Sequence, residues 1–478
     1  MVKKIVYVLA LMLASAGTAM AGGLLTNTNQ NAAFVRQMSQ NGIIDLAGVY
    51  ANPAGTAFLQ DGWHFTLNSQ TAWQTRSIET EFPLFKANQN NPQELHDFAG
   101  KASAPVIPSF SISYNHDKWS LFTHFALGGG GGKCNFNNGL GTFEALYAGQ
   151  IFGNPTLQGA IAGANATYGT DLKLAGYSMD SRMSGTSYHF GLTLGGTYKL
   201  TENVALAGGV RFVYAYCKYD GYVRDVKALA ASASGNPAAA PVAAGVNTAL
   251  AQVMATKSIA IDCKQRGFDV TPILGIDWKI NDKWNVAAKY EFKTGLKLEN
   301  NSDVQVQDPA IIEAGAETLG KFADGAEIAE DIPAILTLGA MYKPLEDVRL
   351  MAGWNYYFDK AASKYDQSHR KIYHNTYEFN FGAEYDICKW LTLSASWQTT
   401  QYGLSDAYMT DLSFNISNHM VGAGVRVKCC KKVSVDLGYM HTFYGHHNVE
   451  TQLAPGMVKK DFYNRKNDVM GIGVNVNL

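Results

Sequence analysis

The chain has 478 residues and a formal net charge of −1; it is 47% hydrophobic and 12% aromatic but only 17% charged, against roughly 25% charged in an ordinary soluble domain. Its mean hydropathy is nevertheless slightly negative at −0.11, so apolar residues are dispersed, and no run past the N-terminus approaches the roughly 20 consecutive apolar residues of a spanning helix. Abundant aromatics exclude a disordered chain, balanced charge leaves no basic footprint for nucleic acid, and 47 Gly with 25 Tyr favour strands and turns over a helical bundle.

In chain order, Lys3 and Lys4, the apolar run Ile5 to Ala14, and the small residues Ala19 and Ala21 have the layout of a cleaved secretory signal over 1–21. Residues 22–62 are too long and too patterned for a simple tail. From residue 63 onward, period-two alternation takes over. Trp63, Phe65, Leu67 and Trp73 share one face while His64, Thr66, Asn68 and Gln70 share the other; Leu391, Leu393 and Trp397 oppose Thr392, Ser394 and Gln398 in the same way. Such segments fall at 63–78, 104–115, 118–129, 184–200, 204–222, 260–280, 284–299, 333–343, 347–360, 373–387, 389–402, 415–428, 432–446 and 464–478, about fourteen in all, and an even count is what a bacterial outer-membrane barrel requires.

The links alternate short and long. Turns such as Asn115-His116-Asp117, Thr201-Glu202-Asn203 and Asn281-Asp282-Lys283 are followed by long loops at 79–103, 130–183, 223–259 and 300–332. That asymmetry is periplasmic below and extracellular above. The fold expected is therefore all-β: a 14-stranded antiparallel transmembrane β-barrel over 63–478, with 22–62 folded back into the lumen as an N-terminal plug, or hatch, and partly helical extracellular loops; a periplasmic extension packed elsewhere is the other reading of 22–62. Such a chain is a multi-pass protein of the cell outer membrane, surrounded by outer-membrane lipid. Closure matters because lipid cannot satisfy unpaired backbone N–H and C=O groups.

Giving the apolar parity to lipid turns Arg211, Lys289, Glu291, Arg349, Arg426 and Asp436 inward, along with many glycines that leave space. The charges either form a solvated network or supply a cation for an anionic ligand headgroup, with Arg211 and Lys289 the candidates. In the loops, Phe143, Leu146, Tyr147 and Ile151 recur at near-helical spacing, and helices are expected near 248–254 and 308–322. Their apolar faces either pack together as a cap or form a collecting surface for a greasy ligand. Cys134, Cys217, Cys263, Cys388, Cys429 and Cys430 lack metal-ligand spacing; Cys217 and Cys263 can bridge only if their strands are neighbours. There is no P-loop, GxSxG elbow or HExxH motif, so no catalytic residue, metal or cofactor is expected.

Gln30 to Phe34, the run Asp45 to Tyr50, and Ala51-Asn52-Pro53-Ala54-Gly55 together resemble the N-terminal hatch of FadL-type outer-membrane transporters of long-chain fatty acids and other hydrophobic compounds. The resemblance is by motif in 22–62 and by architecture beyond. It implies that Asn52, Pro53 and Ala54 belong to a hatch blocking the lumen, and that a kink in the third strand opens the wall laterally. Gly128, Gly129, Gly130, Gly131 and Gly132 are the nearest match to that kink; a loop boundary is the other reading of the run. The implied activity is passive transport of a hydrophobic small molecule by a monomer, with lateral release. The rival from another class is a structural or adhesive barrel whose loops bind other proteins.

Overall fold

The computed structural model describes residues 31–308, 321–365, 367–411 and 413–478. The signal sequence expected over 1–21, the first residues of the 22–62 segment and all but the ends of the helix expected at 308–322 lie outside the described residues.

Alternating side chains build fourteen wall strands: β1 (Gly62–Glu81), β2 (Gly100–His116), β3 (Trp119–Phe136), β4 (Leu172–Lys199), β5 (Val204–Ser232), β6 (Ile259–Lys279), β7 (Trp284–Glu291), β8 (Ile335–Leu345), β9 (Val348–Tyr357), β10 (Ile372–Cys388), β11 (Leu391–Leu404), β12 (Asn418–Lys428), β13 (Val433–Tyr444) and β14 (Met457–Asn477). Each pairs antiparallel with the next, and β14 returns to β1 from His64↔Asn477 to Glu81↔Lys460. The barrel is closed, so its wall has no free edge for lipid to leave unsatisfied.

The short turns gather at one end with both ends of the barrel, where Trp63 and Leu478 exchange backbone hydrogen bonds at 3.2 and 2.8 Å. Asp117 opens the β2–β3 turn with φ 51°, a left-handed conformation that Asp tolerates. Rings pair on the outer face beside these turns, Trp63 with Tyr114 at 4.9 Å and Trp284 with Tyr342 at 4.3 Å between centroids. They form an aromatic girdle at the membrane interface. Between the girdle and the loops, Leu67, Leu121, Leu274 and Met470 are exposed on the outer parity while Thr66, Ser111, Thr271 and Asn475 are buried on the inner one.

The departures are at the loop end. β4 starts at Leu172 rather than 184 and β5 runs to Ser232 rather than 222, because their ladder continues to Leu172↔Ser232. The strand expected at 284–299 is broken: β7 stops at Glu291, and a separate strand Lys297–Val306 pairs with the upper half of β6. Helices α1 (Ala32–Arg36), α2 (Gly141–Phe152), α3 (Pro155–Tyr168) and α4 (Ala240–Met254) complete the regular structure used below. The stretch Pro237–Lys257 is long and apolar enough to cross a membrane as a helix, yet α4 buries Ala243, Val246, Leu250 and Met254 in the loop-end core and packs on β5.

A single apolar cluster, including Ile78, Phe85, Phe98, Tyr177, Phe322 and Phe414, fills the space under the loops. This corrects the expected collecting surface. Leu146, Tyr147 and Ile151 are buried in that cluster and Phe143 packs against it, because the Tyr147 hydroxyl donates to Lys257 O at 2.7 Å and Glu144 of the same helix is buried among polar partners. All six cysteines are free. Cys217 and Cys263 do lie on neighbouring strands, but Cys217 stands opposite Gln265 and Cys263 opposite Tyr219, so the two thiols are offset in register.

Candidate functional site

Residues 31–58 lie inside the barrel and touch its inner wall on several sides, while Gln60 and Asp61 are exposed at the short-turn end. The Asn31 side chain caps α1 by accepting from the Phe34 N–H at 2.8 Å. The short helix carries Arg36 to the wall, where its Nη1 is 2.6 Å from Glu384 Oε1 and its Nε 3.1 Å from Asp436 Oδ1. Asp45 in turn meets Arg426 at 2.5 Å, and Arg426 holds Asp436 at 2.7 Å. The inward glycines serve this contact: a Cβ at Gly438 would stand 2.5 Å from Arg36 N, and one at Gly339 would strike the Asn41 backbone. The space that small wall residues provide is occupied by the chain's own N-terminal segment.

Asn52, Pro53 and Ala54 are buried within this segment. Asn52 Oδ1 accepts from the Gly55 N–H at 3.2 Å, while Nδ2 donates to Ile43 O at 3.0 Å and to Asp277 on β6. Pro53 opens the 3-10 turn Pro53–Phe58, where its missing N–H costs nothing. Asp277 accepts a second amide, from Asn285 at 2.9 Å, and Asn285 also donates to Gly42 O at 2.9 Å.

Arg211 on β5 and Lys289 on β7 are brought together by a residue that sequence reasoning placed on the same face without a role, Glu291. Arg211 grips Glu291 with both Nη atoms at 2.6 and 3.1 Å, and its Nε donates to Thr193 at 3.1 Å. Lys289 Nζ reaches Glu291 at 2.5 Å and Tyr50 O at 2.7 Å. The Tyr50 ring covers both cations, 4.8 Å from the guanidinium and 4.3 Å from the ammonium. Two cations share one carboxylate, so the cluster carries one surplus positive charge. Sequence parity could not show that Tyr50 of the inner segment closes it.

The five glycines lie inside β3, not in a loop. The β2–β3 ladder runs from His116↔Trp119 to Phe110↔Phe125, then resumes only at Ala102↔Cys134. Across the interruption β2 carries Pro105 and Pro108, which have no N–H to give a ladder, and β3 carries the glycines, with Gly130 at φ +98° and Gly132 at φ +71°. The register of β3 on β4 also shifts twice, around Gly129. Gly128, Phe190, Arg211, Glu291 and Phe292 line one cavity, so the interruption and the charged cluster border the same space. The prolines were the missed signal: Pro within an alternating strand marks a place where pairing stops.

A closed barrel of fourteen strands, apolar outside and filled by its own N-terminal segment, is an outer-membrane channel. Residues 159–478 match the family model described as "Outer membrane protein transport protein (OMPP1/FadL/TodX)", and the chain belongs to that family. Solved structures share the fold. A Pseudomonas aeruginosa FadL homologue is 14% identical with a TM-score of 0.64, covering 95% of this chain and 100% of its own. The toluene transporter TodX of P. putida is 15% identical at TM-score 0.56, covering 91% of this chain and 94% of its own, and the Ralstonia pickettii toluene transporter TbuX is 12% identical at 0.52, covering 97% and 99%. No curated protein matches the chain by sequence. The protein is an outer-membrane transporter of hydrophobic compounds, in a family of passive channels rather than enzymes.

Proposed function

We propose that the protein, acting as a monomer, carries long-chain fatty acids or similar hydrophobic molecules down their gradient, with residues 22–62 as the hatch and the β2–β3 interruption as a lateral exit. The observation that carries this reading is the cavity shared by Gly128 and the Arg211–Glu291 pair, beside a stretch of wall whose ladder is broken. A hydrophobic molecule gains about 25 cal/mol for each Å² of apolar surface it withdraws from water, so aromatic and aliphatic lining suffices to draw it in. The buried cations favour a ligand with an anionic head. A shift of Tyr50 uncovers Lys289 and Arg211, and the headgroup then takes the place of the Tyr50 ring. The tail leaves between β2 and β3, where no backbone bonds need breaking. With no nucleotide motif, direction is set by downstream removal of the ligand.

The test is twofold. Lipids extracted from natively purified protein and analysed by mass spectrometry should include long-chain carboxylic acids, and cells lacking their own fatty-acid channel should recover oleate uptake when they express this chain. Protein that carries no hydrophobic molecule and restores no uptake overturns the reading.

A further inference from the structure

We propose that Arg76 and Arg465 form a second anion site, separate from the Arg211–Lys289–Glu291 cluster, that receives the carboxylate of an amphiphile whose tail lies in the apolar cluster under the loops. The inference deepens the transport reading above and rests on it.

Arg76 on β1 and Arg465 on β14 stand directly opposite each other in the ladder that closes the barrel. Both follow the inward parity of Ile78, Thr80, Asp461 and Tyr463, which are buried. Like charges directly opposite each other destabilise a strand pair. Arg36, Arg211, Arg349 and Arg426 each meet a carboxylate inside the barrel, whereas among the described residues Arg76 and Arg465 meet none. Arg76 Nη2 donates to Phe414 O at 3.0 Å and Arg465 Nη1 to Asn415 Oδ1 at 2.8 Å, both neutral oxygens of the β11–β12 loop. The Nε of each arginine is buried without an acceptor. The neighbouring carboxylates face other groups: Asp461 accepts from Lys459 at 2.5 Å and Thr80 at 2.9 Å, and Asp411 Oδ2 accepts from the Thr142 N–H at 2.8 Å while its Oδ1 is buried and meets neither arginine.

The surroundings supply the tail chemistry. Phe414 lies 4.6 Å from the Arg76 guanidinium and Tyr444 lies 5.1 Å from that of Arg465. Phe414 packs on Tyr463 at 4.8 Å, and both belong to the buried apolar cluster with Ile78 and Tyr408. A carboxylate replacing the Phe414 and Asn415 oxygens converts neutral hydrogen bonds into charge-assisted ones with a matching planar fork. It also cancels the repulsion between the two arginines. Along β14 the pair lies on the loop side of Gly471, where α1 packs.

Purified full-length protein in a nonionic detergent should be titrated calorimetrically with dodecanoate and with dodecanol, as wild type and as Arg76→Gln, Arg465→Gln and Arg465→Lys. The expected result is a loss of about tenfold or more in dodecanoate affinity for each Gln variant, unchanged dodecanol binding, and a smaller loss for Arg465→Lys, which keeps the charge but not the fork. Dodecanoate should also raise the wild-type melting temperature more than an equal concentration of dodecanol does, a readout that needs no variant. Equal losses for both probes, or undiminished dodecanoate binding in both Gln variants, overturns the site. Dodecyl phosphate binding that depends on the pair while dodecanoate binding does not overturns the carboxylate assignment. If dodecanol is bound and taken up while the arginines make no difference, the site falls and transport stands; if neither probe is bound or taken up, the transport reading itself fails.

Discussion

The buried Arg36 of α1 and the half-buried Glu384 of β10 form an ion pair, Nη1 to Oε1 at 2.6 Å, that ties the N-terminal segment to the barrel wall. Glu384 and Asp436 keep Arg349 and Arg426 when Arg36 is removed, so Arg36→Ala should leave a folded barrel, less stable by about 1–3 kcal/mol. The freed segment should raise the permeability of the barrel to small hydrophilic solutes. Planar-bilayer conductance reads this directly. A variant whose conductance and thermal stability both match wild type would show that the segment is held by its other contacts.

The β2–β3 interruption gives a second test. A Cβ on Gly128 would lie 3.6 Å from His189 O, an ordinary contact, so Gly128→Leu should fold and project into the cavity shared with Arg211. Uptake should fall at least severalfold. Gly130→Leu is the contrasting variant: its positive φ and a Cβ 2.3 Å from Ser187 O should cost folding itself. Heat-modifiability on a gel separates the two outcomes. Normal uptake through a folded Gly128→Leu barrel removes the interruption from the route.

The wall was legible because a barrel between lipid and a polar lumen imposes period two on every strand, and Trp63 to Gln70 or Leu391 to Gln398 show it without help from tertiary context. The extensions of β4 and β5 were not legible: Asp225, at φ 53° beside a register shift between Ser178 and Asp180, flips the parity, so Val226, Ala228 and Ala230 are the buried residues above it where Val213, Ala215 and Val223 are below it. The inward parity of Arg211 and Lys289 could be read, and Lys289 stands two residues from Glu291 on the same face of β7, but the bond of Arg211 to Glu291 depends on β5 and β7 both flanking β6, a long-range adjacency. The opposition of Arg76 and Arg465 arises only on closure, when the last strand meets the first. The orientation of α2 was hidden because a helix with Phe143 and Ile151 exposed and one with them buried have the same spacing.

Asn52 links the 3-10 turn of the inner segment to Asp277 on the wall. Asn52→Ala removes the cap on Gly55 and one of the two amides that donate to Oδ2 of the buried Asp277 carboxylate. A loss of about 1–3 kcal/mol is expected, with faster hydrogen exchange in 43–58 and little change in the loops. Asn52→Asp should be worse, since it sets a second carboxylate against Asp277. Exchange in 43–58 that is unaltered by Asn52→Ala would mean that the Asn52 side chain does not anchor the turn.

His96 and Glu144 make the loop cap pH-dependent. His96 Nδ1 lies 3.0 Å from Glu144 Oε2, its Nε2 is 2.9 Å from Asn91 O, and its ring stacks on Phe85 at 4.4 Å. Burial works against the imidazolium, but the hydrogen bond and charge of Glu144 outweigh it, holding the histidine pKa above its ordinary 6.5. A group whose pKa is raised by folding stabilises fully below its unfolded value and loses that contribution as pH rises through the folded one. The cap around 83–98 should therefore be most protected on the acid side of about 6.5 and loosen as the pH climbs beyond it. Amide hydrogen exchange across 83–98, corrected for its intrinsic pH dependence, measures this, and His96→Gln should flatten the response. Protection that is equally pH-dependent in the variant would place the titrating group elsewhere.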